Sequence, residues 1–239
     1  MNLMSEKKNL VEKTFTNSRF KISDKLKNFS KYVSRQNLTR FLVQYELFKL
    51  QLNVKGSIVE CGVHQGGGVF TWAKLSSIYE PYNYHRRIIG FDTFEGFPSV
   101  SKRHDTTKYA KKRNFSEKVN IINDLEININ LFDNERPLNN KKKIFLIKGD
   151  ANKTIPSYVK KNEHLLISLL YLDFDIYKPT KTALKYFISR IPKGGIIAFD
   201  EINNPHWPGE TMALLRSLKL NKYELKNFSF DPNISYIQL

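Results

Sequence analysis

Short apolar runs recur along the chain and are separated by longer amphipathic stretches, a pattern that predicts alternating strands and helices. Five of these runs predict buried strands, at residues 57–61, 87–91, 143–147, 166–172 and 195–199. Apolar residues near a 3.6-residue spacing predict one helix between Leu38 and Leu52 and another over residues 180–191. The chain therefore alternates between the two element types over most of its length.

Strands that are apolar on both faces and alternate with helices are typical of a parallel sheet covered on both sides. Two further strands, at residues 223–225 and 234–237, are joined by the turn sequence Asp231-Pro232-Asn233 and should pair antiparallel. The sequence thus predicts an α/β fold: a doubly wound, mostly parallel, Rossmann-like sheet of seven strands with a C-terminal antiparallel hairpin. We expect one domain over residues 1–239, with an N-terminal helical extension (1–55) and a long polar insertion or cap (99–140).

Composition narrows the class of protein. The chain has 239 residues, a formal net charge of +16 and a single cysteine, Cys61. One cysteine excludes an internal disulfide framework and fits a reducing compartment. The sequence contains neither a run of about 20 apolar residues, as a membrane span requires, nor the apolar core of a signal peptide. We therefore expect a cytoplasmic protein without a membrane partner.

The positive charge is concentrated in particular segments. Residues 1–55 carry twelve Lys and Arg against four Asp and Glu, which is half of the excess. Three interpretations are open: a solvated lysine-rich surface, a face for a phosphate-bearing ligand, or a nucleic-acid-binding surface. The last is supported by charge alone, because no zinc-finger, helix-turn-helix or RNA-recognition signature is present. An RNA-binding protein or RNA methyltransferase is kept as the alternative function, and no nucleic-acid partner is expected.

Candidate chemistry lies where the predicted strands end, which is where open parallel sheets bind their ligands. The first strand is followed by a glycine-rich loop that contains Gly62 and Gly66 and departs from the dinucleotide-binding fingerprint. That loop either admits a ligand close to the backbone or is only a tight strand-to-helix turn. An acidic residue stands at or just after all five strand ends: Glu60, Asp92, Asp150, Asp173 and Asp200. Buried strand ends seldom tolerate unpaired carboxylates, so this set indicates a binding site.

Several of these segments resemble one family. Residues 59–63, 91–98, 172–180 and 192–197 resemble the macrocin O-methyltransferase (TylF-type) family, and the octapeptide of residues 91–98 is its most specific motif. Residues 200–211 resemble the branch that acts on nucleotide-linked deoxysugars. Two departures stand out: Asp200-Glu201-Ile202 replaces the frequent Asp-Asp-Tyr, and His64 replaces the third glycine of the first loop. The family consists of class I, metal-assisted sugar O-methyltransferases that use S-adenosylmethionine.

The resemblance implies a cofactor site. Glu60, Gly62 and Gly66 would line the methionine end of S-adenosylmethionine. The ribose hydroxyls would be held by Asp92 with Thr93 beside it. The remaining implied cofactor contacts are Asp150 and Ala151, by the adenine, and Asp173.

The resemblance also implies a divalent cation, most simply Mg²⁺, bound by Asp173, Asp200 and Glu201. Oxygen ligands suit a hard cation. Coordination would lower the pKa of a sugar hydroxyl, and Asp175 or His206 could then accept its proton. Each of these two has a plainer alternative, Asp175 as a helix-capping residue and His206 as part of a packed loop.

The implied acceptor is a hydroxyl of a nucleotide-activated deoxyhexose or heptose used for surface glycans or natural products. Its candidate contacts are the cationic side chains of the extension and insertion, together with one tryptophan: Arg35, Arg40, Lys102, Arg103 and Trp207. The apolar N-terminal helices outside the predicted sheet further predict a homo-oligomer.

Overall fold

The computed structural model describes residues 3–116 and 119–239, with side chains from Leu10 onward. The chain forms two compact units, one ending at Val43 and one covering Gln44–Leu239. The first unit contains helices α1 (Leu3–Asn17) and α2 (Ile22–Lys27), a 3₁₀ turn and the start of α3 (Arg35–Gln51). Within this unit, the rings of Phe15 and Tyr32 meet edge to face at 5.2 Å.

The second unit is built on a seven-stranded sheet with the order β3-β2-β1-β4-β5-β7-β6. Its strands are β1 (Ser57–Cys61), β2 (Ile88–Asp92), β3 (Ile144–Lys148), β4 (Ile167–Leu172), β5 (Ile196–Phe199), β6 (Lys226–Phe228) and β7 (Asp231–Gln238). The first five strands are parallel, and β7 runs antiparallel to both β5 and β6. The predicted doubly wound sheet with a C-terminal antiparallel hairpin is confirmed.

The hairpin turn lies two residues earlier than the sequence predicts, and the predicted strand at residues 223–225 is wrong, because β6 begins only at Lys226. Ser229 and Phe230 form the turn, and Asp231 already opens β7. The Asp231 carboxylate accepts hydrogen bonds from the N–H groups of Asn233 and Ile234, both at 2.9 Å, so the turn-forming chemistry of this residue shapes the strand start. Pro232 fits the next position, because the first residues of a strand tolerate the missing N–H donor of proline.

Five longer helices cover the two faces of the sheet. They are α4 (Gly67–Tyr79), α5 (Ile121–Glu135), α6 (Ala151–Lys161), α7 (Tyr177–Phe187) and α8 (Pro208–Leu215). Helix α5 falls within the segment that looks polar in sequence, and it buries one face through Ile121, Leu125, Ile129 and Phe132. None of the described helices is long and apolar enough to cross a membrane.

Strand β1 shows how the two faces of the sheet differ. Val59 and Cys61 belong to the large apolar cluster that also includes Phe187 of α7 and Ile155 of α6. Glu60 lies between them and faces α4. Because β1 and β4 are neighbours from which the strand order runs outward in both directions, the switch point of the sheet lies between their carboxyl ends.

Candidate active site at the carboxyl edge of the sheet

The loop after β1, residues 62–66, is pinned between its two neighbouring strands. The N–H of Gly62 donates to the carbonyl oxygen of Phe91 at 2.9 Å, and the N–H of Asp173 donates to that of Cys61 at 2.8 Å. Gly62 has φ 101°, and a Cβ there would overlap the main chain of Asp173. His64, which stands where the family usually has glycine, adopts φ 49°, a left-handed conformation that histidine tolerates better than most residues. Glycine at position 62 therefore lets the first loop pack directly against the main chain of Asp173.

Asp92, at the end of β2, holds this loop in place. One carboxylate oxygen accepts the N–H groups of Val63 and His64, both at 2.8 Å, and the other accepts the N–H of Phe94 at 2.7 Å. Asp92 thus connects the loops that follow β1 and β2. These hydrogen bonds give Asp92 a bracing role that the sequence did not predict, and its contact with the ribose of the cofactor remains a prediction.

Glu60 lies beneath the first turn of α4. Its side chain is buried, and one carboxylate oxygen accepts a 2.6 Å hydrogen bond from the indole N–H of Trp72. A side chain at Gly68 would overlap the same carboxylate. Glu60 therefore supports the helix N-terminus that faces the switch point, and its predicted contact with the cofactor remains a prediction.

Three further predicted cofactor residues follow β2 and β3, which are adjacent strands: Thr93, Asp150 and Ala151. The N–H of Gly149 donates to the main-chain oxygen of Asp92 at 2.8 Å, and this hydrogen bond joins the two strand ends. Thr93 donates to the carbonyl of Gly96 at 2.7 Å and shapes the octapeptide loop. Asp150 caps α6 by accepting the N–H of Asn152 at 3.0 Å, and Ala151 is buried in the first turn of that helix.

The acids after β4 and β5 are organised by a residue that the sequence analysis missed. One carboxylate oxygen of Glu210, in the first turn of α8, accepts the N–H groups of Phe174 and Asp175 at 3.1 and 3.3 Å. The other oxygen accepts the N–H of Glu201 at 3.1 Å. The only sequence signal was an acid within the otherwise apolar stretch of residues 208–215.

Glu210 is completely buried, and burial raises its pKa well above the ordinary value of 4.5. The charges of Asp175 and Asp200 raise the pKa of Glu210 further. Asp175 itself adopts φ 59°, a left-handed conformation, and its N–H is one of the groups that Glu210 holds. The carboxyl group of Glu210 therefore positions the main chain of both Asp175 and Glu201.

Asp200 and Glu201 are both engaged within the protein. The hydroxyl of Tyr171 donates to one oxygen of the buried Asp200 at 2.8 Å, and Asn204 donates to the carboxylate of Glu201. Within residues 3–116 and 119–239, no group of three or more His, Cys, Asp or Glu side chains converges as a metal site requires. The predicted ligands, Asp173, Asp200 and Glu201, follow adjacent strands and do not form a preassembled three-ligand cluster.

The segment after the octapeptide is hydrogen-bonded to the start of α7 through Asp105, a second residue that was not predicted from the sequence. Asp105 is buried and accepts hydrogen bonds from the N–H groups of Tyr177, at 2.8 Å, and Ser101, at 2.6 Å. Tyr177 begins α7, so Asp105 satisfies a free N–H donor at that helix start. Its signal was invisible in sequence because the two partners are 72 residues apart.

The candidate acceptor residues lie in three segments, one of which also contains the candidate base His206. Lys102 and Arg103 are exposed on the segment that Asp105 fastens, and His206 and Trp207 lie in the loop before α8. The hydroxyl of Thr107 donates to the carbonyl of His206 at 2.7 Å, which ties these two segments together. Arg35 and Arg40 belong to the first compact unit and remain predictions.

Comparison with known proteins places these observations in one family. The model of the macrocin O-methyltransferase (TylF) family matches residues 5–218. Among solved structures, CalS11, a calicheamicin methyltransferase, is 33% identical with a TM-score of 0.94, over 98% of this chain and 91% of that chain. A structure of CalS11 as a TDP-rhamnose 3'-O-methyltransferase is 31% identical with a TM-score of 0.85, over 98% and 93% of the two chains. The O-methyltransferase NovP, at 21% identity and a TM-score of 0.60 over 84% and 79%, shares the fold. Comparison with curated proteins finds no match.

Proposed function

The chain belongs to the macrocin O-methyltransferase (TylF) family, and on that premise we propose that it methylates a hydroxyl of a nucleotide-activated sugar. The methyl donor of this family fold is S-adenosylmethionine. The observation that carries the choice of acceptor is the similarity to CalS11, a TDP-rhamnose 3'-O-methyltransferase, over 98% of the present chain. A deoxyhexose or heptose linked to a nucleoside diphosphate is the acceptor class that we propose.

The proposed cofactor site lies at the switch point. A Cβ at Gly67, the first residue of α4, would meet no other atom within 4 Å. The start of α4 presents N–H groups and the positive end of a helix dipole, which suit the methionine carboxylate that we propose binds there. Asp92 keeps that loop in position and is the proposed partner of the ribose hydroxyls. Asp150, with Ala151, is the proposed contact of the adenine.

The proton of the sugar hydroxyl needs an acceptor within hydrogen-bond reach. We propose Asp175 or His206, with Asp173 orienting the hydroxyl beside the first loop. The pH dependence of kcat/KM distinguishes the two. If His206 is the base, His206→Gln should remove the rise of kcat/KM with pH, and Asp175→Asn should retain it. With an aspartate base, His206→Gln would leave the profile unchanged.

A divalent cation is a separate part of the proposal. Asp173, Asp200 and Glu201 would hold it, and it would supply positive charge that lowers the pKa of the acceptor hydroxyl. Mg²⁺ commonly binds through one or two carboxylates and keeps several waters, which is compatible with carboxylates that are not gathered in advance. EDTA should abolish turnover while leaving S-adenosylmethionine binding intact, and added Mg²⁺ should restore turnover. Turnover that is unaffected by EDTA would remove the cation from the proposal.

The acceptor class is tested with a panel of TDP-linked deoxyhexoses and heptoses, S-adenosylmethionine and mass detection of the methylated sugar nucleotide. At least one member should be methylated, and Asp173→Ala should lose turnover while retaining cofactor affinity. Asp124→Ala, on the exposed side of α5, serves as the matched control with full activity. Absence of methylation across the panel contradicts the acceptor class, and full activity in Asp173→Ala contradicts the role of that residue.

A further expectation concerns the oligomeric state of the protein. We propose a homo-oligomer, which light scattering coupled to gel filtration measures directly. A mass equal to that of one 28.0 kDa chain at working concentration would contradict it.

A further inference from the structure

Four aromatic side chains from two connections, the one after β2 and the one before α8, meet beside the first loop of the candidate active site. Trp207 lies 5.9 Å from Phe115, 6.2 Å from Tyr109 and 6.2 Å from Phe97, measured between ring centroids. Phe97 belongs to the octapeptide, Tyr109 and Phe115 to the segment after it, and Trp207 to the loop before α8. We call this group the aromatic cluster.

The cluster has a buried floor and an exposed face. Phe97 is packed with Ala110 and Ile176, and Trp207 is partly buried against them. Phe115 and Tyr109, by contrast, are 48% and 41% exposed. Two large aromatic side chains are therefore presented to solvent on top of a small apolar core.

The backbone holds the exposed rings in place. The N–H of Phe97 donates to the carbonyl of Asn114 at 3.2 Å, and the N–H of Arg113 donates back to the carbonyl of Phe97 at 2.9 Å. Gly96, with φ 75°, permits this approach, because a side chain there would overlap Asn114. Arg113 and Phe115 both adopt left-handed conformations, with φ 63° and 60°. Such conformations in non-glycine residues cost energy and often accompany functional sites.

The position of the cluster relative to the first loop is set by His64. Its ring meets that of Phe115 edge to face at 6.1 Å. His64 is also one of the two residues whose N–H groups Asp92 holds. Through its contact with His64, the exposed ring of Phe115 therefore lies next to the loop at which we propose that the methyl donor binds.

The segment that carries the exposed rings is strongly cationic. Between residues 101 and 116 it has six Lys and Arg and one acid: Lys102, Arg103, Lys108, Lys111, Lys112, Arg113 and Asp105. Both oxygens of that acid accept main-chain N–H groups at a buried position. The exposed charge of this segment is therefore positive throughout.

We propose that the aromatic cluster is the nucleobase subsite of the acceptor, with Phe115 and Tyr109 as the stacking surface and the adjacent cations as partners of the diphosphate. The inference rests on the proposed function and deepens it. A sugar nucleotide carries a π-face, two phosphates and a sugar in that order, and the structure offers aromatic faces, cations and the switch point in one neighbourhood. Stacking of a base on an aromatic side chain contributes about 1–3 kcal/mol, which is roughly a 5- to 150-fold change in affinity.

The test measures binding of TDP and of inorganic pyrophosphate to the full-length protein by calorimetry. Phe115→Leu and Tyr109→Leu should each weaken TDP binding at least fivefold and leave pyrophosphate binding and S-adenosylmethionine affinity unchanged. With a TDP-linked sugar, Phe115→Leu should raise KM and keep kcat. The double variant Lys111→Gln, Lys112→Gln should weaken both TDP and pyrophosphate binding.

Phe230→Leu is the matched control, since Phe230 is 44% exposed in the C-terminal hairpin turn. It should leave every one of these constants unchanged. If the wild-type protein methylates a nucleotide-linked sugar while Phe115→Leu and Tyr109→Leu bind TDP normally, the subsite is overturned and the proposed function stands. If the wild-type protein neither methylates such sugars nor binds TDP, the proposed function is overturned as well.

Discussion

The hydroxyl of Tyr171 donates a 2.8 Å hydrogen bond to the carboxylate of Asp200 inside the protein. Tyr171 lies on β4 and Asp200 directly follows β5, so the bond joins two neighbouring strand ends. The ring of Tyr171 also lies 5.7 Å from that of Trp72, whose indole N–H binds Glu60. A buried chain of side chains thus connects the acid below the first loop to an acid at the proposed reaction centre.

Tyr171→Phe removes one hydrogen-bond donor from the buried Asp200 carboxylate. We expect the free energy of unfolding to fall by about 1–3 kcal/mol, because a buried acceptor loses a partner without gaining access to water. Urea unfolding monitored by circular dichroism measures the change. Tyr79→Phe is the control, since its hydroxyl binds that of Tyr45 at the surface and its loss should cost less than about 0.5 kcal/mol. Equal effects from the two substitutions would contradict the prediction.

Trp72→Phe deprives Glu60 of its 2.6 Å hydrogen bond and leaves space in the core. The expected loss of stability is about 2 kcal/mol or more, with weaker S-adenosylmethionine binding because Glu60 supports the start of α4. The chain has two tryptophans, and Trp207→Phe provides the comparison. Trp207 is only partly buried, so its substitution should destabilise the protein less and leave cofactor affinity intact. A larger loss of stability in Trp207→Phe than in Trp72→Phe would contradict the prediction.

Asp92→Asn tests whether one carboxylate holds the first loop. An amide offers a single accepting oxygen, so it cannot receive the N–H of Phe94 on one side and those of Val63 and His64 on the other. We expect at least a tenfold loss of S-adenosylmethionine affinity, measured by calorimetry. Glu126→Gln, on the exposed surface of α5, removes the same charge and should bind normally. Wild-type affinity in Asp92→Asn would show that the loop keeps its shape by other means.

The raised pKa of Glu210 predicts a particular pH dependence of stability. Between pH 4.5 and that raised pKa, the folded protein retains a proton that the unfolded chain has lost. The contribution of Glu210 to stability is therefore complete below pH 4.5 and falls as pH rises, by up to about 1.4 kcal/mol per pH unit. Urea unfolding at pH 5, 6, 7 and 8 should show this decline in the wild-type protein.

Glu210→Gln cannot titrate, so the difference in stability between wild type and this variant should shrink as pH rises. Glu163→Gln, at an exposed position, should give a difference that does not vary with pH. A wild-type advantage over Glu210→Gln that grows from pH 5 to 8 would mean that Glu210 ionises readily in the folded state.

Much of the edge where the site forms was predictable from local patterns. Buried strands are marked by their apolar runs, and six of the seven strands overlap the predicted segments. The prediction for the sixth strand was wrong, because β6 (Lys226–Phe228) shares no residue with the predicted segment 223–225. The acids at the strand ends follow from the same alternation, because a strand's last residue is recognisable where the apolar run stops. The family resemblance is confirmed by the match over residues 5–218.

The partners of those acids were not predictable, because they come from distant parts of the chain. Glu210 reaches main-chain donors 36 residues away, and Asp105 reaches one 72 residues away. Asp105 has no local pattern that distinguishes it from a surface acid, and the only local signal for Glu210 is its largely apolar neighbourhood at residues 208–215. The proposed metal ligands illustrate the opposite case. Asp173, Asp200 and Glu201 are recognisable in the sequence, but they do not form a preassembled cluster in the described residues.

Six of the seven strands, the sheet edge at which the acids gather and the family to which the chain belongs were predictable from the sequence alone. These depend on the period of apolar residues and on short motifs, which are local properties. The folded structure was needed to see which carboxylates brace loops, which are buried, and which aromatic side chains converge from two connections into one cluster. Those features depend on how the helices and long connections pack over the sheet, where a hydrogen bond or a ring contact joins residues that no sequence window contains together.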